Sequence, residues 1–93
     1  MTTIVLRLYI AGLTATAERA IDNLRRLVSE LEVNGRRVDV EVIDILERPQ
    51  LAEDERILAT PVVIKKLPLP LRRIVGDLSE LDKVLIGLDL KEH

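Results

Sequence analysis

The stretch ATPVVIKKLPLPLRRIVGD, residues 59–77, decides the fold. Two short β-branched runs, residues 62–65 and 72–75, flank a turn in which Pro68 and Pro70 bracket a single leucine. A proline in a helix interior costs about 3 kcal/mol, because it lacks the N–H and its ring clashes with the preceding turn. The segment therefore predicts two strands joined by a proline-rich turn.

The chain before this stretch has the pattern of a strand, a long helix and a second strand. Residues 4–10 are apolar apart from one arginine and predict a largely buried strand. Residues 14–35 predict a helix with Thr14 or Thr16 as its N-cap, an apolar stripe at three- and four-residue spacing, and an end at Asn-Gly. Asp22 and Arg26 are predicted to pair on the exposed side of this helix. Residues 38–45 predict a second strand, parallel to the first and reached by a right-handed crossover.

Two further segments surround the deciding stretch. Residues 51–58, with acidic residues early and an arginine late, predict a short helix. Residues 78–90 fit two periods at once: a helix with Ser79 as its N-cap, or a strand with alternate apolar residues. Gly87 would weaken a helix by about 1 kcal/mol relative to alanine. The same residues therefore suit an ordinary helix or a segment that can occupy two folds.

The predicted order β-α-β-α-β-β-α, with Thr60-Pro61 before the third strand, is the layout of a thioredoxin-like α/β domain. Residues 1–93 are predicted to form one such domain, and Pro61 is predicted to be cis. A thioredoxin carries Cys-x-x-Cys where the first strand meets the first helix, but this chain has Thr14 and Thr16 there and no cysteine at all. Because a neutral hydroxyl cannot shuttle electrons, these threonines are interpreted as helix caps.

The composition excludes several classes of function. The 93 residues include 14 Lys+Arg and 16 Asp+Glu, so the formal net charge is −2, and Tyr9 is the single aromatic residue. Such a chain has neither the basic surface nor the stacking platforms of a nucleic-acid-binding protein. The one histidine is His93, and no glycine-rich loop is present, so no catalytic residue, metal ligand or cofactor is predicted. No apolar run approaches the ~20 residues that a membrane span needs. We expect a cytoplasmic protein without a membrane partner.

Basic residues occur as adjacent pairs at four places. These pairs are Arg25-Arg26, Arg36-Arg37, Lys65-Lys66 and Arg72-Arg73. Most such charges simply solvate a surface. Lys65 and Arg73 differ because they belong to the two strands of the deciding stretch, where they could present positive charge on one sheet edge or face. An acidic protein partner would suit that surface.

Several runs of the sequence resemble the KaiB family of small cyanobacterial clock proteins. They are VIDIL at 42–46, PQLAE at 49–53, ILATP at 57–61, RRIVGDLS at 72–79 and KVLIGLDL at 83–90, together with LYIAG at 8–12. The resemblance covers nearly the whole chain. It implies a non-enzymatic protein that binds the hexameric ATPase ring of KaiC and, in cyanobacterial systems, then captures KaiA. It also implies a metamorphic second half.

The resemblance further implies roles for individual residues. Basic positions for recognising the clock partners are Arg19, Arg56, Lys65 and Arg73. Gly87 and Asp89 fall in the segment that biases the two folds. Glu41 departs from the lysine that the family often has, which places KaiA binding in doubt.

Two folds are compatible with the resemblance. The ground state, βαββααβ, is usually a homotetramer, whereas the thioredoxin-like state is a monomer when free. Pro68 and Pro70 oppose the helix that the ground state partly requires, Ser79 with Asp82 supports helix initiation, and the chain stops soon after Leu90. The thioredoxin-like monomer is therefore predicted. Two other functions remain open: a thiol-free adaptor or sensor module of a signalling kinase, and a KaiB–KaiC stress-response system without KaiA. A redox enzyme is excluded because the chain lacks cysteine.

Overall fold

A computed structural model describes residues 3–92. Its elements follow the order β-α-β-α-β-β-α, which confirms the thioredoxin-like prediction. They are β1 (Thr3–Ile10), α1 (Ala15–Val33), β2 (Arg37–Asp44), α2 (Pro49–Asp54), β3 (Val62–Leu67), β4 (Arg72–Val75) and α3 (Leu81–Gly87).

The four strands form one sheet in the order β2-β1-β3-β4. β1 and β2 are parallel, as predicted, and β3 runs antiparallel to both of its neighbours. We call the edge where β1 and β2 finish the carboxyl end of the sheet, and the edge where they begin its amino end. Because β3 runs the opposite way, it starts at the carboxyl end, and the β3–β4 turn lies at the amino end.

The two faces of the sheet are covered unequally. α1 and α3 pack on one face and enclose the larger core with the buried side chains of β1. That core consists of Ile4, Leu6, Leu8, Ile10, Ala17, Ala20, Leu24, Leu27, Leu31, Val63, Leu78, Val84, Leu85, Leu88 and Leu90. The other face buries four residues, Tyr9 among them, and is covered only by partly buried side chains such as Leu51 and Ile57. The short α2 has no buried residue.

The three helices end in the same way. In each, the first residue beyond the cap donates its N–H to the carbonyl three residues earlier, and the next residue donates to the carbonyl five residues earlier. This is the Schellman motif, and it requires a left-handed residue. That residue is Gly35 after α1 (φ 80°), Arg56 after α2 (φ 51°) and Asp89 after α3 (φ 59°). A left-handed conformation costs a residue with a Cβ about 1–2 kcal/mol, so the ends of α2 and α3 are strained and that of α1 is not.

The helix expected over residues 51–58 was wrong at both ends. α2 starts two residues earlier, at Pro49, and stops at Asp54. Proline suits the first helical turn, where its missing N–H would have no partner. The left-handed Arg56 then turns the chain out of the helix, so Leu58 is 96% exposed in the loop that follows.

The ambiguous segment 78–90 forms a helix, but Ser79 is not its cap. α3 begins at Leu81, and Glu80 precedes it without a capping side-chain bond. The amide of Ser79 instead donates to the carboxylate of Asp77 at 3.1 Å. Leu78, left-handed at φ 63°, is buried in the larger core although it lies outside the helix.

Two further predictions can be compared with the structure. Asp22 pairs with Arg25, three residues away, at 3.2 Å, so the expected pair with Arg26 was wrong. The Thr60–Pro61 peptide is cis, as predicted, and the Leu67–Pro68 and Leu69–Pro70 peptides are cis as well.

Candidate partner-binding surfaces

Arg19 lies in the first turns of α1, at the carboxyl end of the sheet. Its Nε is 3.4 Å from Asp77 Oδ2, and Asn23 Nδ2 donates to the Asp77 carbonyl at 2.8 Å, so both join α1 to the β4–α3 connection. Hydrogen bonds from Ser79 and then from Arg19 hold the pKa of Asp77 below its usual value. The Arg19 side chain is nevertheless 57% exposed, which leaves it accessible to a partner.

Arg56 and Arg73 meet at the loop after α2. Arg73 Nη1 donates to the Arg56 carbonyl at 3.3 Å, and its Nη2 donates to the carbonyl of Glu55. Lys66 forms an ion pair with the Glu55 carboxylate. The Arg73 side chain thus holds the strained turn at Arg56 by binding two backbone carbonyls. Arg56 itself is exposed.

Lys65 does not share a face with Arg73, which corrects the expectation that both present charge on one side. Ile64 pairs with Arg73 and Lys65 pairs with Arg72 across the two strands, so Lys65 and Arg73 point to opposite faces of the sheet. Lys65 is only 1% exposed and is the one buried charged residue within 3–92. Burial lowers its pKa, against the attraction of Asp89, and Arg72 adds repulsion. In this fold Lys65 cannot reach a partner.

Glu41 is held by two arginines on the exposed side of β2. Its carboxylate lies 3.3 Å from Arg7 Nε and 3.4 Å from Arg48 Nη1. The Glu41 carboxylate is therefore paired with two cations of the same chain.

The residues expected to bias the fold lie around α3 and the β3–β4 turn. Gly87 is the last residue of α3, and a Cβ built on it would lie 2.5 Å from Ile74 Cδ1 of β4. Asp89 is the strained left-handed residue just beyond. Pro68 and Pro70 form the turn between β3 and β4, and Pro61 precedes β3.

The position of a thioredoxin's thiols is occupied by hydroxyls that are already engaged. Thr14 Oγ1 accepts from the amide of Ala17 at 3.1 Å, and Thr16 Oγ1 accepts from Arg19 Nη2 at 3.1 Å. Thr14 is the N-cap of α1, as one of the two sequence alternatives had it. Among residues 3–92 no group of His, Asp or Glu could hold a metal ion, and no helix is long and apolar enough to cross a membrane. His93 lies outside the described residues.

Four exposed apolar side chains, which the sequence pattern did not reveal, lie at the carboxyl end of the sheet and in the α2–β3 connection that leads to it. These are Leu13 (66% exposed), Leu46 (70%), Leu58 (96%) and Val75 (61%). Each stands in a connection or at a strand end, where apolar periodicity gives no signal. We call these side chains, together with Arg19 and with Arg56 of the α2–β3 connection, the carboxyl-end surface; their combination of apolar and basic groups suits a protein partner.

The fold and the engaged hydroxyls define a thioredoxin-like domain without thiol chemistry. The N-terminal domain of SasA from Synechococcus elongatus matches all of this chain and 90% of its own, with a TM-score of 0.76 and 18% identity. Mitochondrial thioredoxin 3 from Saccharomyces cerevisiae matches 92% of this chain and 76% of its own, with a TM-score of 0.72 and 16% identity. At these identities the likeness shows the fold alone.

Sequence comparison adds the family. The KaiB domain model matches residues 7–90. The circadian clock protein KaiB3 of Synechocystis is 51% identical over 90 residues, which are 97% of this chain and 86% of that protein. The circadian clock oscillator protein KaiB of Synechococcus elongatus is 53% identical over 88 residues, 95% of this chain and 84% of that protein. The chain belongs to the KaiB family.

Proposed function

We propose that this protein is a non-enzymatic regulator of a circadian clock or related timing system, acting in the cytoplasm by binding a KaiC-type ATPase ring. The observation that carries the proposal is the 51% and 53% identity, over nearly the whole chain, to proteins named as circadian clock proteins. The engaged hydroxyls of Thr14 and Thr16 are consistent with recognition rather than catalysis.

The carboxyl-end surface is the proposed docking site for the ring. Arg19 and Arg56 supply exposed positive charge, and Leu58 supplies the most exposed large apolar side chain among residues 3–92. Apolar side chains give such an interface its affinity, whereas rim charges mainly steer association and select the partner. Lys65 would contribute to binding only in another conformation, since it is buried here.

We further propose that the second half converts between the thioredoxin-like fold and a βαββααβ fold, and that the thioredoxin-like monomer binds the ring. The strained left-handed residues Arg56, Leu78 and Asp89 support this proposal because all three lie in that half. The dual periodicity of residues 78–90 supports it as well. A homotetramer would belong to the other fold.

A second candidate is a system without KaiA: a stress-response KaiB–KaiC pair, or an adaptor or sensor module of a signalling kinase. The specific observation that favours it is Glu41, whose carboxylate faces Arg7 and Arg48 in place of a free lysine. A KaiA surface that relies on positive charge at this position would be absent.

The test is a titration of isotope-labelled protein with an unlabelled KaiC-type ring and nucleotide, followed by amide NMR signals. Binding to the large ring broadens the signals, so prompt loss is expected if the binding fold is already populated. Arg56→Glu should weaken binding about tenfold or more, since reversing an interface charge replaces attraction with repulsion. Arg26→Glu, on the exposed side of α1 away from this surface, is the matched control and should bind as the parent does.

Three outcomes separate the parts of the proposal. Signal loss over hours would mean that fold conversion limits binding. No loss at any ring concentration would refute ring binding while leaving the fold unchanged. Equal weakening by Arg26→Glu would refute the carboxyl-end surface as the docking site.

A further inference from the structure

The turn between β3 and β4 projects three leucines from the amino end of the sheet. Leu67, Leu69 and Leu71 are 48%, 74% and 45% exposed, and prolines separate them. We call residues 66–72 the β3–β4 tip. Apart from the basic residues at its two ends, the tip carries no polar side chain.

Positive charge brackets the tip. No Asp or Glu occurs between Glu55 and Asp77, while Lys65-Lys66 and Arg72-Arg73 stand on either side of the leucines. The strand register brings a third dibasic pair to the same end, because Thr3 pairs with Arg37 of β2 and Val5 pairs with Leu67 of β3. α1 also ends there, with Val33 84% exposed. Three of the four dibasic pairs and four exposed apolar side chains therefore share one end of the molecule.

Not all of these charges are available. Lys65 is buried, Lys66 is paired with Glu55, and Arg36 donates to the Leu90 carbonyl at 3.1 Å. Arg37 and Arg72 are the exposed cations that flank the leucines. Four carboxylates also lie at this end, at the ends of α1 and α3: Glu30, Glu32, Glu92 and Asp89, the last of which attracts the buried Lys65.

We propose that the β3–β4 tip docks on the surface of an anionic lipid bilayer. The three leucines enter the boundary between headgroups and acyl chains, while Arg37 and Arg72 bind lipid phosphates. A protruding apolar tip without hydrogen-bonding side chains suits such a boundary. Protein–protein interfaces concentrate their binding energy in Trp, Tyr and Arg side chains near the centre, and the centre of the tip has only leucines and prolines.

This proposal differs from the expectation of no membrane partner, which rested on the absence of a spanning segment; a peripheral contact needs none. It is also tested separately from ring binding, since the leucines of the tip lie at the end of the sheet opposite Leu13, Leu46 and Val75. Failure of one proposal leaves the other untouched.

The first test is co-flotation of the full chain with vesicles of phosphatidylcholine and phosphatidylglycerol in equal parts. The protein should float with these vesicles, stay behind with pure phosphatidylcholine, and detach at high salt. Leu69→Ser should reduce the bound fraction about tenfold, the scale expected when one buried leucine is lost. Leu58→Ser removes a leucine of even greater exposure from the α2–β3 connection, outside the tip, and should leave binding unchanged. Arg72→Glu should also reduce binding.

A second measurement uses the absence of tryptophan from the chain. In Leu69→Trp the single indole should shift its emission to the blue when anionic vesicles are added, and in Leu58→Trp it should not. No flotation together with no shift would overturn the proposal. Flotation that Leu69→Ser leaves intact would also overturn it, and so would stronger binding to polyglutamate than to vesicles, which would assign the tip to an acidic polypeptide.

Discussion

The first and second halves of the molecule end their helices with the same hydrogen bonds but with different residues. α1 turns at Gly35, which adopts the left-handed conformation without steric cost. α2 and α3 turn at Arg56 and Asp89, which adopt the same conformation at a steric cost. The first half is therefore locally consistent, whereas the second half keeps its turns only while tertiary contacts hold them.

Helix length reinforces this contrast. α1 has 19 residues and buries an apolar stripe, whereas α2 and α3 have six and seven residues. Isolated helices shorter than about 12–15 residues are marginal in water, so α3 depends on its contacts with the sheet. The difference teaches that strain and short helices are concentrated in the half for which we propose a second fold.

The largest expected effect comes from breaking the contact of α3 with the core. Leu88 is fully buried, and Leu88→Ala should destabilise the fold by about 2–5 kcal/mol, the range for truncating a buried leucine. Amide NMR should show α3 losing its helical shifts while α1 keeps them. The matched control is Leu24→Ala in α1, which should unfold both halves together. If Leu88→Ala also unfolds both halves together, the proposal that the second half can change its structure separately is contradicted.

The next effect concerns the buried charge. Lys65→Met keeps the length of the side chain and removes an ammonium that burial disfavours, so we expect a gain on the order of 1 kcal/mol. Folding lowers the pKa of Lys65. Between this lowered pKa and the ordinary value, the unfolded chain therefore binds more protons than the folded chain does. The free energy of unfolding of the parent therefore increases toward alkaline pH, and the difference between the parent and Lys65→Met becomes smaller.

Denaturant unfolding at several pH values measures this gap. Lys66→Met, which removes the partner of Glu55 on the other side of the sheet, is the control and should not stabilise the fold. A destabilising Lys65→Met would instead mean that the attraction of Asp89 outweighs the cost of burial.

The smallest effects come from exchanging the residues at the helix ends. A Cβ on Gly35 meets nothing within 4 Å, so Gly35→Ala isolates the backbone cost, about 1 kcal/mol of destabilisation. Arg56→Gly should stabilise the described fold by about 0.5–1 kcal/mol, because it removes the strain of a left-handed residue with a Cβ, a gain partly offset by glycine's entropy. Thermal unfolding of both variants checks the opposite signs. If both variants shift the melting temperature in the same direction, the difference in steric cost between the two helix ends is refuted.

The predictable part of the structure is the part in which local signals agree. Apolar periodicity located β1, α1 and β2, and the two prolines of the β3–β4 turn excluded a helix there. The early end of α2 was not predictable, since it depends on a left-handed Arg56 that Arg73 holds from a distant strand. Local sequence carries no record of such a contact.

The candidate site was less predictable than the fold. Lys65 pairs with Leu6 across the β1–β3 register, so strand alternation could have placed it on the same buried face. Lysine is seldom fully buried, however, and the residue type therefore suggested an exposed position. The exposed leucines of the carboxyl-end surface and of the β3–β4 tip were equally hidden. Outside a periodic segment, residue type alone does not tell whether a leucine is exposed or buried, and only the three-dimensional structure distinguishes the two.

The close approach of α3 to β4 has a consequence for which sequences can share this fold. Since a methyl group on residue 87 would meet the terminal methyl of Ile74 at 2.5 Å, the volumes at these two positions are linked. A larger residue at position 87 requires Ile74 to rotate or to be replaced by a shorter side chain such as valine. Substitutions at the two positions should therefore be accepted together more readily than either one alone.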